Sequence, residues 1–292
     1  MGTLLLVATP IGNLGDLSPR GIAALQQATL ICCEDTRRTG KLLSHLDIRG
    51  VRMAISNEHT EDDRVDEVLS ILAADGTVAV VTDAGTPGIS DPGERLVRAA
   101  IDNGHTVSAI PGPSADVMAL VISGLPTARY VFEGFLPRSG SERTVRMNEV
   151  AQERRTTVLY EAPHRLARTV ADLLAVCGVQ RQVVLARELT KLYEEVWRGT
   201  LGEAAEHLAA KDPQGEYVIV LAGGQATAPA TNDDVVAAVA QRLAAGASKK
   251  AAIASVAQHL NVPKNRVYEL ALGLKAPAQA AANIQRRGSS PS

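Results

Sequence analysis

Along the first half of the chain, short apolar β-type runs alternate with stretches of helical period. Thr3 to Ala8 is one such run, broken by Pro10, Gly12 and Gly15. Leu30 to Cys33, Val51 to Ile55, Thr77 to Val81 and Thr106 to Ile110 repeat the pattern, and each reads as a strand. Between them, Ser18-Pro19 has the form of an N-cap followed by proline at the first helical position, opening a helix through Ala28. Thr36 to Leu46 is a second helix, and Val65, Val68, Leu69 and Leu72 fall at i, i+3, i+4 and i+7 of a third. Glu94 to Ile101 is a fourth, with Asp91 and Pro92 reading as its N-cap and first residue. This alternation predicts βαβ units and a largely parallel sheet with both faces covered.

After Gly124-Leu125-Pro126 the pattern restarts. Strands are expected at Tyr130 to Glu133, Thr156 to Tyr160, Gln182 to Arg187, Glu195 to Arg198 and Tyr217 to Ala222, with helices at Arg143 to Arg154 and Arg165 to Val176. The short spacing between some of these strands implies a hairpin and therefore a mixed sheet. A third set of helical patterns covers Asp233 to Ala244, Ser248 to His259 and Lys264 to Leu272, the last two separated by a turn with helix-turn-helix spacing. The expected fold class is α/β: two αβα domains, the N-terminal one mostly parallel and the next one mixed, with a small helical C-terminal unit. The expected divisions are residues 1–123, 124–224 and 232–275, with 276–292 a disordered tail because it is rich in Ala, Ser, Arg and Pro.

Composition narrows the function. With 292 residues the chain can bury a substantial core, but aromatics are only 3%, so Val, Leu, Ile and Ala must build it. A formal net charge of −2 excludes a uniformly basic nucleic-acid coat while leaving room for local basic faces. Three cysteines without a C-x-x-C pair fit a reducing compartment, and Cys32 and Cys33 are expected in a buried strand. The N-terminus lacks a signal-peptide pattern and no apolar run spans a bilayer, so a cytoplasmic protein without a membrane partner is expected. No G-x-G-x-x-G follows the first strand, Gly40-Lys41 lacks the first glycine of a P-loop, and no Cys/His spacing suits zinc, so no metal is expected.

The candidate chemistry lies in the loops that end the strands. Asp83 to Gly93 holds two prolines, three glycines and two aspartates at the C-terminal end of a buried strand, where open α/β sheets hold their ligands. Gly85 and Gly88 would let backbone approach a ligand closely. The loops Ala8 to Leu14 and Pro111 to Ala115 fall at the same sheet edge, and the N–H groups of Ser114 and Ala115 could receive polar ligand atoms.

Several separated segments, in order, resemble one family: Val7-Ala8-Thr9-Pro10-Ile11-Gly12-Asn13-Leu14, Glu34-Asp35-Thr36-Arg37, Asn57-Glu58-His59, Asp83 to Gly93, and Tyr160-Glu161-Ala162-Pro163-His164-Arg165. The family is the bacterial small-subunit rRNA cytidine 2′-O-methyltransferases, within the tetrapyrrole-methylase superfamily. The resemblance runs from about Thr3 to Gly223, and the helical C-terminal unit also matches. It implies a homodimer whose two domains bind S-adenosylmethionine in a cleft and methylate cytidine 1402 of 16S rRNA in the small ribosomal subunit. It places the donor against Pro10, Gly85-Thr86-Pro87, Ile89 and Ser114-Ala115, with Tyr160 and the Gly215-Glu216 backbone completing the pocket. Superfamily relatives acting on tetrapyrroles carry Gly-Asp-Pro where this chain has Gly85-Thr86-Pro87. That difference argues against a porphyrin substrate and leaves Asp83 to supply the carboxylate.

A ribose 2′-hydroxyl is a weak nucleophile that benefits from a base or strong acceptor. Asp35, Glu161, His59 and His164 are the candidates, Asp35 and Glu161 ahead of the others, with Arg37 and Asn57 expected to hold phosphate and ribose groups. RNA contact is expected from local basic clusters: Arg37, Arg38 and Lys41; Arg138, Arg143 and Arg146; Lys249, Lys250, Lys264 and Arg266. Two other readings stay open, a tetrapyrrole C-methyltransferase and a ligand-sensing DNA-binding regulator.

Overall fold

The computed structural model describes residues 2–210, 212–224, 230–260, 262–272 and 274. The chain divides into two compact units, residues 1–224 and the C-terminal helices. The segment 276–292, expected to be disordered, lies outside the described residues.

The first half of the larger unit runs β1 (Thr3–Val7), α1 (Pro19–Gln27), β2 (Leu30–Cys33), α2 (Thr36–His45), β3 (Arg52–Ile55), α3 (Val65–Ala73), β4 (Thr77–Val80), α4 (Glu94–Asp102), β5 (Thr106–Ile110) and α5 (Ala115–Ser123). Its five strands are parallel, in the order β3-β2-β4-β1-β5. The strand period of two sorts β2 between the faces. Ile31 and Cys33 pack with Leu25 and Leu43 of α1 and α2, while Leu30 and Cys32 pack with Leu72 and Leu96 of α3 and α4. Burial pushes the Cys32 thiol up to about 12, so it is an inert core residue, as expected for a buried strand cysteine.

This strand order makes β4 and β1 neighbours whose connections leave in opposite directions. The chain goes from β1 toward β2 over the α1/α2 face, and from β4 toward β5 over the α3/α4 face. Between them is a topological switch point, the place where the two outgoing loops part and leave a crevice.

The second half of the unit contains β6 (Tyr130–Phe135), α6 (Gly140–Gln152), β7 (Thr156–Glu161), α7 (Pro163–Cys177), β8 (Gln182–Arg187), β9 (Glu195–Thr200), α8 (Leu201–Ala209) and β10 (Tyr217–Leu221). The sheet order is β6-β7-β10-β8-β9, with β6 parallel to β7 and all other pairs antiparallel, including the expected β8–β9 hairpin. The fold is therefore α/β with one parallel and one mixed sheet, as the hydrophobic pattern predicts. One face of the mixed sheet packs on α6, α7 and α8 through Met147, Leu166, Leu173 and Leu201. Its other face packs on α5, where Ala119 and Leu120 meet Val158, Val184, Val218 and Val220.

In the smaller unit α9 (Asn232–Ala244), α10 (Lys249–His259) and α11 (Lys264–Ala271) share a core of Val235, Val239, Leu243, Ile253, Val256 and Val267. Thr231 and Asp234 close a capping box on α9. Among the described residues no helix is long and apolar enough to cross a membrane.

The start of α4 departs from the sequence expectation. Asp91 is not its cap and Pro92 is not its first residue: the N-cap is Gly93 at φ +133°, a value that favours glycine. The capping acceptor comes from another loop. The buried Glu61 carboxylate accepts from the N–H groups of Gly93 at 3.0 Å, Arg95 at 3.1 Å and Leu96 at 3.1 Å. Asp91 is thereby left free to face elsewhere.

Candidate functional site

At the switch point the loops after β1, β4 and β5 are stapled together. Thr9 and Gly85 exchange backbone hydrogen bonds, Thr9 N–H to Gly85 O at 2.8 Å and Gly85 N–H to Thr9 O at 3.1 Å. The Thr9 hydroxyl donates to Thr82 O at 3.2 Å, and the Thr86 hydroxyl donates to Pro113 O at 3.0 Å. Gly85 sits at φ +91°, where a side chain would strain the backbone. Pro10, Gly85, Thr86, Ser114 and Ala115 are thus held at one sheet edge. Ile89 follows on the same loop, its N–H bonded to Thr86 O at 3.3 Å and its side chain exposed.

α5 begins at this edge without a side-chain cap. Ser114 occupies the N-cap position, but its hydroxyl donates to Asp116 Oδ1 instead of accepting from the helix. The buried Asp116 carboxylate also accepts from the Tyr160 hydroxyl at 3.2 Å, and Asp116 N–H donates to that hydroxyl oxygen at 3.3 Å. Burial, then the adjacent Asp116 charge, push the Tyr160 phenol well above its ordinary range, so it stays a neutral donor. Phe132 and Phe135 brace its ring edge-on, with centroids 5.1 Å and 5.6 Å away.

The second sheet closes the other side of the loop after β1. A Cβ at Gly12 would come within 2.3 Å of Lys191 Cγ and 2.8 Å of Thr190 Oγ1, so this approach requires glycine. Gly215, at φ +80°, lies against Glu188, whose carboxylate accepts from Glu216 N–H at 2.9 Å and from Lys191 Nζ at 2.8 Å. Glu188 and Thr190 both hold positive φ, 49° and 66°, a strained turn of the kind that collects at ligand sites.

Acidic groups gather on the β2 and β4 side. Asp83 N–H donates to Glu34 Oε1 at 3.1 Å, and Arg38 pairs with Asp83 at 3.1 Å. Burial raises both Glu34 and Asp83. Asp91 is pushed up to about 7, first by burial, then by the Glu34 charge and more weakly by Asp83, against a hydrogen bond from Thr82. Beside this group is a cavity of about 220 Å³ lined by Thr9, Pro10, Leu14, Arg38, Lys41, Leu42 and Asp83. Of five buried polar side-chain atoms without a hydrogen-bond partner among the described residues, two, Asp83 Oδ1 and Thr190 Oγ1, belong to these loops. Among the described residues no cluster of three or more His, Cys, Asp or Glu is placed to hold a metal ion.

Residues 3–205 match the family described as Tetrapyrrole (Corrin/Porphyrin) Methylases, and residues 229–275 match the RsmI C-terminal HTH domain. A Synechocystis sp. protein named Ribosomal RNA small subunit methyltransferase I is 43% identical over 278 residues, which is 94% of this chain and 99% of that protein. A Mycobacterium tuberculosis protein of the same name is 46% identical over 273 residues, 93% of this chain and 95% of its own length. The chain belongs to the ribosomal RNA small subunit methyltransferase I family. Solved structures share the fold at lower identity. The methyltransferase CobJ aligns with a TM-score of 0.58 at 19% identity, covering 76% of this chain and 95% of that one. Uroporphyrin-III C-methyltransferase from Thermus thermophilus, complexed with S-adenyl homocysteine, aligns at 0.53 and 17% identity, covering 76% and 97%.

In this member of the methyltransferase I family the crevice does not gather every residue singled out from the sequence. Asp35 caps α2, accepting from Arg37 N–H at 2.8 Å, and pairs with the Arg37 guanidinium at 2.8 Å. Those bonds hold its carboxyl down at about 2, which makes it a weak proton acceptor. Asn57 closes its own loop, its side-chain oxygen accepting from His59 N–H at 3.0 Å and Thr60 N–H at 3.2 Å. That loop follows the edge strand β3, with β2 between it and β4, and His59 is exposed there. Glu161 and His164 are on the far side of the second sheet. Successive residues of β7 point to opposite faces, so Tyr160 looks toward α5 while Glu161 looks toward α7. Glu161 is buried there, accepting from Thr169 Oγ1 at 2.6 Å and pairing with Arg165 at 3.1 Å. Asp91, Asp116, Thr190 and Glu61 were not singled out for these positions. The excess of acids around the loop after β4 was the available signal for Asp91, which a helix-cap reading absorbed.

Proposed function

We propose that this chain transfers a methyl group from S-adenosylmethionine to the ribose 2′-hydroxyl of cytidine 1402 in 16S rRNA of the small ribosomal subunit. The family supports ribosomal RNA as the substrate. The observation that carries the donor site is the crevice itself: three stapled loops, a helix N-terminus without a side-chain cap, and two orphaned buried polar atoms. Gly85, Thr86, Pro10 and Ile89 form one wall, Ser114 and Ala115 offer backbone N–H groups, and Tyr160, Thr190 and Gly215-Glu216 form the other wall. The donor, when bound, supplies a methyl carbon made electrophilic by the adjoining sulfonium. Everything else the chain must do is alignment and proton removal.

For proton removal we assign Asp91. Its carboxyl titrates at about 7, so near neutral pH it is both available as the base and strong enough to accept. It lies on the same loop after β4 that carries Gly85 and Thr86. We set the acceptor nucleotide against the cavity beside Asp83, whose wall includes Arg38 and Lys41. Asp35 and Arg37 act from the rim as a charge pair, Asn57 and His59 extend the acceptor surface along β3, and Glu161 and His164 shape the second domain. Threonine at position 86, where tetrapyrrole-acting relatives carry aspartate, supports ribose over a porphyrin acceptor.

We further place the protein in the cytoplasm as a homodimer, the divisions near residues 123 and 224 separating its domains. The apolar residues Val117, Met118 and Val121, exposed on α5 near the sheet-edge strand β5, favour self-association. The test is transfer of labelled methyl from S-adenosylmethionine to small subunits from a strain lacking the modification, followed by nucleotide mapping. Label on the cytidine ribose is expected. Label on a base, or on another nucleotide, overturns the assignment.

A further inference from the structure

A second cavity, of about 280 Å³, opens on the α6/α7 side of the mixed sheet, the side away from Tyr160. Its lining is almost wholly cationic: Arg138, Arg143, Arg165 and Arg168, with His164 and Thr169.

Two of these arginines are fixed in place by the fold. Arg143 is buried, bonded to Asp172 at 2.8 Å and 3.0 Å, to Thr169 Oγ1 at 3.0 Å and to Pro137 O at 2.9 Å. Arg165 is held by Glu161 at 3.1 Å and by Leu136 O at 2.6 Å. The other two are not committed. Arg138 is exposed and has no acidic partner among the described residues. Arg168 reaches only Asp172, at 3.8 Å, and that carboxylate is already taken by Arg143. Four guanidinium groups thus face two carboxylates, and the surplus positive charge points into the cavity. α7 adds to it, because it starts here with Pro163 and without a side-chain cap. The volume is roughly nine times the ~30 Å³ share of one water, enough for a phosphodiester with part of its sugar.

We propose that this cavity grips a backbone phosphate of the RNA substrate, away from the nucleotide being methylated. The inference rests on the RNA-methyltransferase reading and adds a second anchoring point to it. Arg143 and Arg165 position the wall, and Arg138 and Arg168 close on the phosphate with the planar, two-pronged donors suited to it. Such a contact orients the substrate without carrying sequence information.

The test uses the full chain and small subunits lacking the modification, comparing wild type with Arg138→Ala/Arg168→Ala and with Arg138→Glu. Both positions are exposed, so folding should be unaffected. The double variant should raise KM for subunits about tenfold, leave kcat within about twofold, and leave S-adenosylmethionine affinity unchanged. The slope of log affinity against log salt should shrink by about 0.7 to 0.9 per phosphate released. Arg138→Glu should act in the same direction and more strongly. Unchanged KM and salt slope overturn the proposal, and so does weakened binding with the wild-type slope, which would place the contact on protein. Wild type that transfers no methyl to subunits refutes the functional reading instead, so the two failures are distinguishable.

Discussion

Replacing Asp91 by Asn separates activity from stability in opposite directions. The Asp91 carboxyl lies at about 7 in the folded protein, against an ordinary value of 3.8, so the native state holds its proton more tightly than the unfolded chain does. Stability therefore falls as pH rises from about 4 to about 7, and the full penalty of the buried charge stands above that window. Roughly 3 pKa units correspond to about 4 kcal/mol as a ceiling. The side chain is partly solvated, and screening reduces this to on the order of 2 kcal/mol. Asp91→Asn should remove that penalty. In urea unfolding it should be about 2 kcal/mol more stable than wild type at pH 8, and the gap should close near pH 4. Methyl transfer should meanwhile fall about 10²- to 10⁴-fold without loss of donor binding, as for removal of a general base. Wild-type turnover should decline with acid through an apparent pKa at or slightly below 7, since a cationic donor favours the carboxylate. A variant that is less stable than wild type at pH 8, or that turns over normally, refutes the account of Asp91.

Gly85→Ala should strain the loop at φ +91° by about 1–3 kcal/mol and weaken S-adenosylmethionine binding, measured by calorimetry, more than it lowers the melting temperature. Glu61→Ala strips the acceptor from three N–H groups at the start of α4 and should cost about 3 kcal/mol in urea unfolding. Glu61→Gln keeps an acceptor oxygen and should recover much of that loss. Equal stability of the two variants would contradict the capping role.

The first sheet was legible because its strands β1, β2 and β4 are nearly continuous apolar runs and α3 keeps a clear i, i+3, i+4 period, so local pattern and global fold agree there. The hairpin of β8 and β9 was legible from spacing alone. The start of α4 was not: Asp91-Pro92 has the local form of a cap, while the acceptor in use comes from Glu61, thirty-two residues before Gly93. Local propensity carries no record of such a partner. The candidate site divides in the same way. Pro10, Gly85, Thr86 and Ser114 follow from loops ending adjacent parallel strands. Tyr160 and Glu161 look alike as neighbours in a motif, yet the pleat of β7 sends them to opposite faces. Asp35, two residues before Arg37 at a helix start, caps and pairs locally, an arrangement its sequence position also allows. The raised pKa of Asp91 comes first from burial and then from Glu34 at the end of another strand, and only the folded arrangement reveals either.

α5 ends the first half of the larger unit, yet its Ala119 and Leu120 lie in the core beneath the second sheet. Arg198 of β9 clasps its last turn, donating to Ser123 O at 3.2 Å and also to Ile122 O. One rod therefore has its head at the crevice and its body in the neighbouring fold. Severing the backbone after it would leave the mixed sheet with a bare greasy face, so the two halves should melt together. The spacing of the two sheets is thus set by how this helix seats, together with the close approach of Gly12 to Lys191.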